Sequence, residues 1–340
     1  MCGPDPRESF SLADKQADSL NQILKFGDLT SQRHAISMID GAAINGFIKE
    51  KDKFATDLIN LLKTTPIEKA GSENHNKPIH AAIIECLNLL KAPNATDVIY
   101  AVFTDEKEDP VTHKMALRVL GFMGDSRVED AALTGLLNGD WNLRQECVIV
   151  LGNLKSSKGI TPILTVMKEV ASYQVYPPEL KKNMGLDFDL PFHVVFTTSC
   201  RNALVKIGSS AVPLLLAELN DQNIKYRHGV ALTLGEMKNP DINSQVGPAL
   251  IEASEQSEDG WLRDRCIRLI GDINYKEAKN QLVYLLQNPN RKVPMIAIYS
   301  SLKKIGVNIE RVTWEDKTGQ WHAKYVIKDE KGKEKEIIEE

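Results

Sequence analysis

The chain writes one unit twice in succession. HKMALRVLGFMGDSRVEDAALTGLLNGD (His113–Asp140) is followed by RQECVIVLGNLKSSKGITPILTVMKEV (Arg144–Val170), with Gly121 falling on Gly152. Each unit reads as a pair of short helices: an apolar first helix ending in Leu-Gly, a polar turn, then a second apolar helix closing near Asn, Gly or Asp. A unit this short cannot bury its own apolar face, so consecutive copies must stack and share one core. The same punctuation recurs at Ile207-Gly208, Leu234-Gly235, Ile270-Gly271 and Ile305-Gly306, and Lys91 stands where the other units have glycine. RHAISMIDG (Arg33–Gly41) matches RHGVALTLG (Arg227–Gly235) and carries the array towards the N-terminus. Glycine inside a helix is unfavourable. Its recurrence at one column predicts either a close approach by the neighbouring helix or a helix end that needs a left-handed residue.

The expected fold class is therefore all-α: a right-handed α-solenoid of helix pairs over residues 12–309, after an extended tether at 1–11. Beyond Asn308 the apolar period changes from helical to alternating. RVTWE, WHAKYVIKD and KEIIEE, joined by the glycine-bearing KTGQ and EKGK, predict a three-stranded β-meander over 310–340. It would cap the last repeat, and its edge could accept a strand from a partner.

Charge and composition exclude several function classes. The net charge is −4 and the pI about 6.0, without the basic excess expected of a duplex-binding protein, so nucleic acid is not an expected partner. No uninterrupted apolar stretch approaches the length of a transmembrane helix, and Asp5, Arg7, Glu8, Asp14 and Lys15 occupy the place of a signal peptide. Cys86, Cys147, Cys200 and Cys266 fall inside first helices of different units, where cysteine acts as a small buried hydrophobe, so no disulfide framework is expected. Cys2 stands apart. MCGPD resembles the start of a mature bacterial lipoprotein, which implies Cys2 as a lipid-attachment residue and a place at the cell envelope. An ordinary second-position cysteine, with a cytoplasmic location, stays open beside it.

The longest interruption, residues 172–194, has three prolines and the aromatics Tyr173, Tyr176, Phe188 and Phe192. Long loops in compact arrays are often functional, and these four are the candidate partner-binding residues, with sealing of the loop onto the array as the alternative.

No phosphate-binding glycine loop, nucleophile elbow, HExxH or CxxC is present. Ser300-x-x-Lys303 with Lys317-Thr318-Gly319 imitates a penicillin-interacting pair, but the two elements are too close together and the second lies in a hairpin turn. The sequence thus gives no catalytic, cofactor-binding or metal residues.

The segments RQECVIVLGNL, RHGVALTLGEM and RDRCIRLIGDI resemble HEAT-repeat proteins, in particular the short-unit phycobilisome-lyase HEAT-like type. In that family an Asp four residues ahead of an Arg forms a ladder between repeats. The resemblance carries this onto Asp140 with Arg144 and Asp259 with Arg263, while Asn223 replaces the aspartate ahead of Arg227. An anion-binding groove is the alternative use of these arginines. Iron-binding HEAT-like enzymes carry His-Glu dipeptides that this chain lacks, so the resemblance implies no metal. The reading is a non-catalytic scaffold, without cofactor, that binds another protein or peptide. A maturation factor or lyase-like enzyme acting on a bound protein, and a cytosolic adaptor, are the alternatives.

Overall fold

The computed structural model describes residues 14–48, 51–68, 77–172, 192–257, 260–288 and 295–339. The chain divides into two compact units, Met1–Ser156 and Ser157–Glu340. The first contains α1 (Asp14–Phe26), α2 (Leu29–Ile44), α3 (Lys51–Thr64), α4 (Ile79–Leu89), α5 (Thr96–Thr104), α6 (Pro110–Met123), α7 (Glu129–Asn138) and α8 (Trp141–Asn153). The second contains α9 (Ile160–Ala171), α10 (Phe192–Ile207), α11 (Val212–Ala217), α12 (Ile224–Met237), α13 (Asn243–Gln256), α14 (Gly260–Asp272), α15 (Lys279–Gln287) and α16 (Met295–Lys304). Three strands follow: β1 (Ile309–Glu315), β2 (Trp321–Lys328) and β3 (Glu334–Glu339). In each unit first helices pack on first helices: α2 on α4, α4 on α6 and α6 on α8 in one, α10 on α12, α12 on α14 and α14 on α16 in the other. The cores are aliphatic, with Ile83, Leu87, Leu120 and Val150 sealed in the first and Leu204, Leu234, Leu250 and Ile270 in the second.

The glycine column holds two demands that the sequence reading merged. Gly121, Gly235 and Gly271 are close-approach positions. A Cβ at Gly121 would lie 2.9 Å from the Val150 methyls, and one at Gly271 would lie 2.8 Å from Ser301 Cα. The left-handed residues stand three places later: Gly124, Lys155, Lys238 and Asn274, with φ between 50° and 77°. Lys91, Gly208 and Gly306 belong to this second column (φ 56°, 83° and 89°), so aligning them with Gly121 shifts their units by three residues. The bonding explains the conformation. Gly124 N–H donates to Gly121 O and Asp125 N–H to Leu120 O, and the same pair of bonds recurs at Lys91, Lys155, Asn274 and Gly306. This is the Schellman closure, which needs a left-handed residue to satisfy the last carbonyls of a helix. A lysine there is strained by its Cβ. Lys155→Gly is therefore expected to raise stability by about 0.5–1 kcal/mol, read as a higher denaturant midpoint at unchanged slope.

After the left-handed residue the chain follows a fixed course. Asp125 and Asn239 cap short 3-10 turns, Ser126–Val128 and Pro240–Ile242, that lead into α7 and α13. From Lys91 to Thr96, Gly124 to Glu129, Lys238 to Asn243 and Asn274 to Lys279 the count to the second helix is five each time.

The stretch Phe196–Asn220, 25 residues long, is long and apolar enough by composition to cross a membrane. Here it is two helices, α10 and α11, divided at Gly208, whose φ of 83° interrupts a continuous helix, and α10 carries a buried Arg201.

The strands form an antiparallel sheet of order β1-β2-β3, with Ile309 opposite Ile327 and Tyr325 opposite Ile338. Ile309, Tyr325, Ile327 and Ile338 are buried, and β1 packs on α16, where Tyr299 lies 5.6 Å from Tyr325 between ring centroids. The sheet meets the last helix through β1 and Tyr325.

Candidate functional site

The sequence-marked aspartates and arginines serve helix ends. Asp140 caps α8 by accepting from Leu143 N–H at 2.8 Å. Asn223 does the same for α12, accepting from Tyr226 N–H at 3.2 Å. The N-cap role explains why Asn can stand in that column. The arginines reach back to the carbonyl end of the preceding second helix. Arg144 Nε donates to Leu136 O at 3.0 Å, Arg227 Nη1 to Asp221 O at 2.6 Å and Arg263 Nη1 to Ser257 O at 3.3 Å. A guanidinium placed there satisfies carbonyls the helix leaves over and meets the negative end of its dipole. Arg227 also pairs with Glu252 at 2.6 Å, and Arg144 lies 4.1 Å from the centroid of the Trp141 ring. Asp259 lies outside the described residues, as do Cys2, Tyr173, Tyr176 and Phe188. Phe192 opens the helix α10.

Sequence reasoning missed a charged lattice across the first helices of the second unit. In α14 the residues Trp261, Arg265, Arg268 and Asp272 follow at spacings of one helical face. Glu236 at the end of α12 is shared by two arginines: Arg201 Nη2 of α10 donates to its carboxylate at 2.9 Å and Arg265 Nε of α14 at 3.2 Å. Asp272 at the end of α14 is shared in the same way by Lys304 of α16, 2.6 Å away, and Lys238 beyond α12, 3.4 Å away. Arg268 pairs with Asp264 at 2.8 Å on its own helix. Burial works against ionisation of Asp272, but the hydrogen bond from Lys304 and the charges of Lys304 and Lys238 outweigh it and hold the carboxyl below its ordinary value.

Beside the lattice stands Trp261. It is 52 % exposed, and the Arg201 guanidinium lies 5.4 Å from its ring centroid. Trp261 thus presents much of its ring to solvent. A recess of about 210 Å³ opens next to Glu236, walled by Val205, Val212 and Met237 with Ser209 and Asn239 at its rim. His228, on the same α12, is buried with Nε2 unpaired. Burial pushes its imidazole below the ordinary value, Arg227 adds to this and Glu252 opposes it.

Among the described residues no three His, Cys, Asp or Glu side chains are placed to hold a metal ion. Cys86, Cys147, Cys200 and Cys266 are buried, and burial raises the Cys147 thiol to about 12, with the Glu146 charge adding to it.

The helix pairs have counterparts among solved structures. The complex of CpcE and CpcF of phycocyanin lyase from Nostoc sp. is 18% identical with a TM-score of 0.37, the match covering 74% of this chain and 86% of that one. Human deoxyhypusine hydroxylase in complex with glycerol is 15% identical with a TM-score of 0.32, covering 88% and 99%. The fold is HEAT-like. At these identities the likeness is one of fold and assigns no activity, substrate or partner. It does correct one expectation. The expectation of a chain without catalysis is withdrawn: the two neighbours bear the names of an enzyme complex and an enzyme, and a likeness of fold at this level assigns this chain neither an activity nor the lack of one. No protein-family model and no curated protein sequence matches the chain.

Proposed function

We propose that the chain is a protein-binding repeat module that holds a partner on the first-helix face of its second unit. The observation that carries this reading is Trp261, half exposed on α14 beside the Arg201 guanidinium, which itself pairs with Glu236 at the wall of the recess. Tryptophan and arginine dominate the energetics of protein interfaces, because a rigid ring and a planar cation bury much area for little lost freedom. The helix-end arginines and caps are occupied inside each unit, which leaves this face for recognition. A scaffold and a maturation factor that works on its bound protein share this capture step. In the same proposal an acyl group on Cys2 would tether the module to a bacterial membrane.

The test places a photoreactive residue at position 296, where Ile296 is exposed on α16, and irradiates cells that make the full chain. A discrete protein adduct is expected. Trp261→Ala should lower its yield about tenfold, the loss of a single interface hot spot, with melting nearly unchanged because the ring is half in solvent. Absence of any protein adduct would end the reading.

A further inference from the structure

We infer that the partner segment held on this face is acidic: a run of Asp and Glu side chains interrupted by an aliphatic or aromatic residue. This rests on the protein-binding reading above and names the chemistry of the partner. The carboxylates of the two shared triads lie low, Glu236 at 14 % and Asp272 at 20 % exposure, while Arg265 (36 %), Lys304 (52 %) and Lys238 (58 %) project past them. Each carboxylate is already divided between two cations, so each triad retains one uncompensated positive charge, and that charge is carried on the outer atoms. Arg268, whose partner Asp264 is the more buried of that pair, extends the same outward bias along α14. The face is thus positive towards solvent in a chain whose net charge is −4. That contrast is what charge complementarity uses to steer one partner and repel others.

The geometry also sets a length scale. The Arg201–Glu236–Arg265 and Lys238–Asp272–Lys304 triads are linked through α14, which holds Arg265 and Asp272, and through the end of α12, where Glu236 is followed by Lys238 just beyond the helix. An extended segment crossing these helices meets cations from both triads. The apolar walls Val205, Val212 and Met237 next to Glu236 take one non-polar side chain of that segment, and Trp261, against Arg201, offers a flat contact elsewhere along it. A nucleic acid would also answer to the positive charge. The segment is argued to be protein because an apolar recess walled by aliphatic side chains suits an aliphatic or aromatic side chain better than a sugar or a phosphate.

The experiment pans a displayed library of random twelve-residue peptides on the full chain and on Arg265→Glu/Arg268→Glu, both checked for the native far-ultraviolet spectrum and melting. With the unaltered chain, the enriched peptides are expected to carry a net negative charge and a shared apolar position. The best of them, made as a labelled peptide, should bind the altered chain at least about tenfold more weakly, with an affinity that falls as salt is raised. Lys91→Glu, a change of the same sign in the first unit, should leave binding unchanged. Enrichment of neutral or basic peptides, or an acidic preference that survives the double change, would overturn the acidic partner while leaving protein binding in place. A labelled twenty-nucleotide single strand binding more tightly than the peptides would overturn it as well. No enrichment of any peptide would count against the protein-binding reading itself.

Discussion

His80→Ala is expected to cost about 3–5 kcal/mol of stability, the largest effect of a polar substitution in the first unit. His80 opens α4 and is buried between two acceptors: Nε2 faces Thr65 O at 3.0 Å and Nδ1 faces Glu108 Oε1 at 2.5 Å. With Nε2–H donated to the carbonyl, a second proton must lie between Nδ1 and Oε1, since two lone pairs cannot meet at that distance. Glu108 is 4 % exposed and its other oxygen has no partner, so the histidine is the main support of a buried acid. Removing the imidazole leaves that acid stranded and breaks the tie between α4, the end of α3 and the turn before α6. The check is urea unfolding of His80→Ala beside the double variant His80→Leu/Glu108→Leu. The double variant should recover most of the loss, because it removes the need as well as the partner. Equal destabilisation of the two would mean that packing of the ring, and not the pairing, holds this corner.

The second large effect is a contrast between two glycines of one column. Gly271→Ala is expected to cost about 1–3 kcal/mol, even though alanine is the better helix former. The added methyl would sit 2.8 Å from Ser301 Cα and 3.0 Å from its Cβ, so the backbone of α16 must retreat and stretch the bond from Ser301 Oγ to Ile267 O, now 2.8 Å. Gly41→Ala meets nothing within 4 Å and should stabilise by up to about 1 kcal/mol. Thermal unfolding of the two variants side by side decides the matter. A stabilised Gly271→Ala would mean that the approach of α14 to α16 is looser than described.

Which parts of this were readable in the sequence follows from where the deciding partners lie. Helix pairs were readable because an apolar period is local. The strand segments were readable for the same reason, to within a residue or two. The glycine column was half readable. Gly121 and Gly124 in GFMG answer to different demands, one set by Val150 in the next first helix and the other by the end of their own helix, and only the second is local. Lys91 was the clue, since a lysine never replaces a glycine for lack of space but does so in a left-handed turn. The Arg-Glu-Arg and Lys-Asp-Lys triads were not readable. Glu236 and Arg265, or Lys238 and Lys304, stand in different repeats, and a charged residue on an amphipathic helix gives no sign of whether water or a neighbouring helix meets it. The resemblance offered a ladder for Asp140 and Arg144, whereas the described hydrogen bonds give them separate duties at the two ends of neighbouring helices.

The near-constant course from the left-handed residue to the second helix, five residues at four corners and four from Gly208 to Val212, has a bearing on how such a chain can change over time. Inside a pair the corner varies by at most one residue among these, because most of its residues have an assigned conformation or cap. From a second helix to the next first helix no such rule operates: two residues separate α7 from α8, whereas twenty separate the end of α9 from the start of α10. Insertions and deletions can therefore accumulate only at these hand-overs, all on one edge of each stack. New loops can be gained there without disturbing the helices, so a lineage of such chains can acquire new specificities at that edge while its core stays fixed.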